Sequence, residues 1–186
     1  MPKFTKKEKT LGFTIALVFI LIGVSLRIIP HAPNFVPIAA IALFGGAYFS
    51  KKIALVLPLV AMIVSDLFIG FYDLRLMAFV YSSFLLSVIL GFYLKNNKKW
   101  YIIGGSAILS SVLFFFITNF AVWAFSPWYA KTLSGVIQCY VMALPFFRNT
   151  LFADIFYTGV FFGGYELVRY LAMSKLRSKN LLTCAE

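Results

Sequence analysis

Charged residues are scarce in this sequence, and acidic residues are the scarcest. Asp and Glu number six and Lys and Arg number 17, so charged residues make up 12% of the 186 residues, whereas hydrophobic residues make up 62%. Soluble proteins carry about 25% charged residues. The composition therefore excludes an ordinary soluble domain. It predicts a single transmembrane domain over residues 1–186, with room for about six helical spans of ~20 residues.

The sequence also lacks the residue patterns of catalytic, metal-binding and cofactor sites. Its two cysteines, Cys139 and Cys184, have no metal-ligand spacing, and its one histidine, His31, has no neighbouring ligand residues. There is no nucleophile elbow, zinc-protease motif or phosphate-binding glycine loop. We therefore predict a protein that is not an enzyme and holds no cofactor or metal ion.

Six apolar runs predict an all-α bundle of six transmembrane helices. A further stretch, 131–146, is apolar, but ~15 residues rise only ~22 Å as a helix, less than the ~30 Å hydrocarbon core. We expect this stretch to be an outer interfacial or re-entrant segment, broken at Pro145. Asn34 is expected to cap the second helix and Pro37 to begin it. The predicted spans are residues 11–29, 35–49, 53–70, 76–94, 101–125 and 147–172.

The distribution of basic residues predicts how the chain is oriented. Loops on the cytoplasmic side of membrane proteins are rich in Lys and Arg, so the more basic side is expected to be cytoplasmic, with both termini on it. Because these residues flank apolar runs, orientation and lipid headgroups explain the net charge of +11 better than nucleic-acid binding does. The inner side holds Lys3, Lys6, Lys7, Lys9, Lys51, Lys52, Lys95, Lys98, Lys99, Arg169, Lys175, Arg177 and Lys179, and the outer side holds Arg27, Arg75, Lys131 and Arg148.

Two aspartates, Asp66 and Asp154, lie inside predicted spans. An ionisable group at membrane depth costs roughly 2.5–3.5 kcal/mol on insertion scales, so such residues normally face a cavity or a partner. Both fall in the outer half, level with other polar and aromatic residues. This one-sided arrangement favours an outward-facing pocket for a polar, ring-containing solute over an ion pathway. The candidate binding residues are Asn34, Asp66, Asn119, Trp123, Tyr129, Arg148, Asn149 and Asp154.

Several stretches resemble motifs of a widespread group of small bacterial membrane proteins. They are residues 34–49 (NFVPIAAIALFGGAYF), 65–67 (SDL), 118–123 (TNFAVW), 139–140 (CY) and 145–147 (PFF). That group is in turn similar to the substrate-binding S components of energy-coupling factor (ECF) transporters. The resemblance implies a bundle of six helices in the bacterial cytoplasmic membrane, which binds a vitamin-like solute from outside. It also implies a partner, an energising module of one membrane scaffold subunit and two ATPases.

Other interpretations stay open at this point. The first span has only Gly12 and Ala16 where S components carry an Ala-x-x-x-Ala pattern, so uptake without the energising module is an alternative. The two aspartates could instead pair with Arg27, Arg148 or His31 to hold helices together. A structural or scaffolding protein of a cell-envelope or cell-shape complex is the alternative function.

Overall fold

The structure is a computed structural model that describes residues 6–29 and 32–183. For residues 6–9, 12, 13, 16, 23 and 175–183 it describes the backbone alone. Six helices and no strand occur in the described residues, which confirms the all-α prediction. The expectations for His31 and Cys184 lie outside the described residues. The helices are α1 (Lys6–Ile28), α2 (Ile38–Tyr48), α3 (Lys51–Ile69), α4 (Leu74–Leu94), α5 (Trp100–Phe125) and α6 (Leu133–Thr183).

Four of the helices are long and apolar enough to cross a membrane. They are α3, α4, α5 and the part of α6 over Leu133–Ser174, each found among the residues whose side chains are described. Helix α2 has 11 residues and is therefore only about 16 Å long. It is apolar on every side, which is typical of a helix enclosed by protein.

Helix α2 forms the centre of the bundle. Ten of its 11 residues are buried, and it contacts all five other helices. Its closest neighbour is α4, where Gly46 faces Gly91 so tightly that a Cβ atom on either residue would collide with the other helix's backbone. Small residues allow this approach, because neither glycine has a side chain that would keep the two backbones apart. The spacing of Ala42 and Gly46 thus serves packing within the bundle.

The expected break at Pro145 is wrong, because α6 continues through that residue as one helix of 51 residues. Proline removes one backbone hydrogen bond from a helix. Contacts with α5 before and after Pro145 therefore have to keep α6 helical at this point. Before the proline, Tyr140 donates a hydrogen bond to the Phe116 carbonyl over 2.8 Å. Phe115 of α5 packs against Tyr140 at 5.5 Å between ring centroids and against Phe147 at 4.7 Å. Residues 133–146 are therefore the first part of α6 rather than a separate re-entrant segment.

The helices alternate in direction, so the bundle has two distinct ends. Helices α1, α3 and α5 finish, and α2, α4 and α6 begin, at what we call the Asn34 end. The opposite end carries the loop from α4 to α5, and we call it the Lys95 end. The polar residues singled out from the sequence are gathered at the Asn34 end.

Candidate functional site

Three adjoining cavities lie at the Asn34 end, and all three are lined by Asn34 and Phe114. Their volumes are about 30, 230 and 280 Å³. The two larger ones together fall in the range of small-molecule pockets, roughly 300–1,000 Å³. Asp154 and Ala39 line the smallest cavity, Thr118, Asn119, Val122, Ala143 and Phe146 line the second, and Arg27, Met62, Ile69, Tyr72 and Val80 line the third.

Asn34 reaches these cavities from a tight turn between α1 and α2. The Phe35 amide donates to the Ala32 carbonyl over 2.9 Å, and Asn34 has a positive φ of 60°. Proline followed by asparagine in the two central positions suits a type II turn, which requires a positive φ at the second of them. Asn149 of α6 fixes the turn by donating to the Pro33 carbonyl over 3.0 Å.

The expected capping of α2 by Asn34 is therefore wrong. Pro37 is itself the N-cap residue of α2, with no side-chain hydrogen bond, and the helix begins at Ile38. A proline at the cap fits because the missing N–H would have no partner there in any case. Asn34 is left free to face the cavities from the turn.

Asp154 lines the smallest cavity, which is large enough for a water molecule. Its side chain is 2% exposed, and the Ser111 hydroxyl of α5 donates to Oδ2 over 2.6 Å. No Lys or Arg among the described residues lies within ion-pair distance of it. The carboxyl group is thus buried with a hydroxyl partner and without a neutralising base, so it can accept further hydrogen bonds from a donor in the cavity.

Asp66 has a different environment. Arg27 of α1 forms an ion pair with it over 2.9 Å, and the Tyr81 hydroxyl of α4 donates to it over 2.6 Å. Arg27 also donates to the Met62 carbonyl over 3.3 Å. The open alternative of an Asp66–Arg27 pair is confirmed. Asp66 does not itself line the cavities, but it holds Arg27 in the wall of the largest one.

The second cavity is lined by acceptor groups at its polar side. Thr118 and Asn119 of α5 and Thr150 of α6 each donate to a carbonyl one turn earlier in their own helix, over 2.8, 2.8 and 3.0 Å. Each threonine oxygen and the asparagine carbonyl therefore keep lone pairs for a ligand. Together with Asp154, they make this region suited to a solute that presents N–H or O–H donors.

Five of the eight predicted binding residues lie outside the cavity linings. Trp123 donates to the Ala130 carbonyl over 3.0 Å, so it holds the loop that follows α5. Lys131 fixes the same loop by donating to the Ser126 carbonyl over 2.7 Å. Tyr129 belongs to this loop, and Arg148 is exposed on α6. Of the eight candidates, Asn34, Asn119 and Asp154 line the cavities, while Asp66 and Asn149 support them from behind.

Several lining residues were not predicted. Thr118 and Thr150 are sequence neighbours of Asn119 and Asn149, so their position beside predicted residues is a signal that could have identified them. Phe114, which lines all three cavities, has no such signal, because one phenylalanine in an apolar helix is ordinary. The same holds for Ser111, which lies outside the linings and donates to Asp154. The described residues contain no group of three or more His, Cys, Asp or Glu that could hold a metal ion.

Comparison with known proteins identifies one family. A model described as a family of unknown function (DUF6580) matches residues 7–176. No curated protein and no solved structure matches the chain.

Proposed function

The chain belongs to the DUF6580 family, whose function is unknown, and we propose that it is a multi-pass membrane protein for solute uptake. In this proposal it lies in the bacterial cytoplasmic membrane with both termini in the cytoplasm. The Asn34 end then faces outward. The four long apolar helices support membrane insertion, and the excess of Lys and Arg at the Lys95 end supports this orientation.

The observation that carries the proposal is the group of adjoining cavities lined by Asn34, with the buried Asp154 in the wall of the smallest one. Burying a carboxyl group without a base is costly, and the one hydrogen bond that Asp154 accepts, from Ser111, leaves most of its acceptor capacity unused. Asp66, by comparison, has both a base and a hydroxyl partner, and it serves to connect α1, α3 and α4. A ligand that donates to Asp154 would compensate the cost in the bound state.

The lining indicates what kind of solute fits. Asp154, Asn119, Thr118 and Thr150 offer acceptor atoms, and Phe114 offers an aromatic surface between the cavities. The fitting solute is small and ring-containing and carries N–H groups or a protonated nitrogen. A vitamin-like nitrogen heterocycle has this chemistry. In this proposal the protein passes the solute on with an ECF energising module, as S components do, or acts alone.

Mass spectrometry of small molecules that co-purify with the detergent-solubilised protein tests the proposal. We expect one nitrogen-containing compound with the wild type, and its loss from Asp154→Asn and Asn119→Ala. Arg148→Gln is the matched control, because Arg148 is exposed and outside the cavity linings. The compound should be retained in that variant.

Two results would contradict the proposal. One is equal retention of the compound by the wild type and both cavity variants. The other is a wild type that carries no compound and gains no thermal stability from any member of a panel of nitrogen heterocycles. The second result, with altered cell shape on deletion, would favour the scaffolding function instead.

A further inference from the structure

A further cavity, larger than each of the three at the Asn34 end, lies between α5 and α6. It has a volume of about 460 Å³ and extends toward the Lys95 end. Three glycines line it, namely Gly104 of α5 and Gly159 and Gly163 of α6. At its mouth lie Lys98 and Glu166. We call this cavity the glycine groove.

The glycines of the groove have open space around them, unlike the glycines at the contact between α2 and α4. A Cβ atom added to Gly159 or Gly163 would meet nothing within 4 Å, and the same holds for Gly104. At Gly46 and Gly91 the opposite is true, because the backbones of α2 and α4 touch there. Glycines spaced four apart in a membrane helix commonly form the contact surface for another helix. Within the described chain, no helix uses the pair on α6.

A buried hydroxyl beside these glycines has no partner. The Thr158 side chain is 2% exposed and lines the groove, and its Oγ1 atom forms no hydrogen bond with any described residue. Nearly all buried polar groups in proteins are satisfied. A threonine in an apolar helix can satisfy its hydroxyl by donating across an interface to a second helix. Thr158 therefore indicates that an acceptor enters the groove.

The depth of Thr158 decides between a lipid and a helix as the occupant. Thr158 lies eight residues before Glu166 on α6, which places it about 12 Å further from the mouth of the groove. A phospholipid with its headgroup near Lys98 would present only hydrocarbon at that depth. A helix has backbone carbonyls along its whole length, and each can accept a second hydrogen bond. The hydroxyl is thus satisfied by a helix and left unsatisfied by a lipid chain.

We propose that the glycine groove receives α6 of a second copy of this chain, so that the protein is a two-fold symmetric dimer. The surface is self-complementary, because each copy supplies both the glycine pair and the groove that accepts its partner. In this arrangement Thr158 of each copy donates to a carbonyl of the facing helix. The proposal assumes membrane insertion but is independent of the solute.

Charges at the mouth of the groove suit this arrangement. The Lys98 ammonium lies over the Tyr48 ring, 3.9 Å from its centroid, and Glu166 is half exposed with an ion pair to Arg169 at 3.6 Å. Helices paired through Gly159 and Gly163 bring Glu166 of one copy to the level of Lys98 in the other. Opposite charges at this level favour the parallel pairing.

Single-molecule photobleaching in lipid vesicles, at a protein density low enough to avoid chance pairing, tests the dimer. We expect two bleaching steps for the wild type and one for Gly159→Leu/Gly163→Leu. Gly105→Leu is the matched control, since Gly105 is also exposed and open around its Cβ but lies outside the groove lining. Thr158→Val should weaken dimerisation by about threefold, the average effect of one interhelical hydrogen bond.

The folded state of each variant is checked by its unfolding midpoint in detergent, where Thr158→Val should be at least as stable as the wild type. Single-step bleaching of the wild type would overturn the proposal. An equal loss of dimer in Gly105→Leu, or an unchanged dimer in the double leucine variant, would overturn it as well. A monomeric wild type that carries phospholipid in native mass spectrometry, lost on Gly163→Leu, would assign the groove to lipid.

Discussion

Replacing Arg27 by methionine should strongly destabilise the protein, because it leaves Asp66 buried without its base. The side chains of Asp66 and Arg27 are 2% and 12% exposed, so water replaces little of the lost interaction. Removing one partner of a buried ion pair typically costs about 3–5 kcal/mol of unfolding free energy. The remaining hydrogen bond from Tyr81 does not neutralise the carboxylate. We therefore expect a loss of about 3–5 kcal/mol for Arg27→Met.

Removing the charge of Asp66 instead of that of Arg27 should cost less unfolding free energy. Asp66→Asn keeps the shape and the hydrogen bond from Tyr81, and the unpaired guanidinium of Arg27 borders the 280 Å³ cavity, where it can be hydrated. We expect a loss of about 1–3 kcal/mol, the cost of leaving one buried polar group poorly satisfied. The double variant should cost less than the two single variants together, by about 0.5–3 kcal/mol, because the two side chains share one interaction.

The assay is reversible unfolding in mixed micelles, followed by circular dichroism, with Arg75→Met as the control. Arg75 also pairs with an aspartate, Asp73, at 3.2 Å, but the two side chains are 63% and 38% exposed. An exposed pair contributes at most about 1 kcal/mol. If Arg27→Met cost no more than Arg75→Met, or if the two single effects at Arg27 and Asp66 were additive, the argument from burial would be refuted.

Three further predictions concern packing at two glycines and the turn that carries Asn34. Gly46→Ala should lower the unfolding free energy by about 1–3 kcal/mol, because the added methyl collides with the backbone of α4. Gly104→Ala should be neutral or slightly stabilising in the same unfolding assay, since its Cβ meets open space and alanine favours the helix. Asn149→Ala should release the turn over residues 32–35 and speed amide hydrogen exchange at Phe35, with unchanged exchange in α2. Unchanged exchange at Phe35 would contradict a fixing role for Asn149.

The helices could be predicted from the sequence because long apolar runs are a strong signal that depends on local composition. In the second and sixth predicted spans, this signal did not predict where the helices begin. Local sequence marks Pro145 as a helix break, but contacts of Tyr140 and Phe147 with α5 carry α6 through it. Asn34 is of a residue type that often caps helices and stands shortly before α2. It lies instead in a turn, which Asn149, a residue distant in sequence, holds by a hydrogen bond to Pro33.

The candidate site could be predicted as a region and only partly as a set of residues. Asp66 and Asp154 look alike in sequence, since each is one acid in an apolar run. What separates them is the partner, Arg27 for one and Ser111 for the other, and those partners are 39 and 43 positions away. Such pairings depend on how helices are rotated against one another. The sequence of a single helix does not contain that information.

The short, enclosed helix α2 has a consequence for how the chain is made. At about 16 Å it cannot reach across a bilayer by itself, and the surface that covers it comes largely from α4, which is synthesised later. During biosynthesis α2 therefore lacks its main packing partner until α4, with Gly91, has been synthesised. Assembly of this protein thus depends on the timing of translation, and α2 is expected to gain protection from protease only after α4 has emerged, well after its own synthesis.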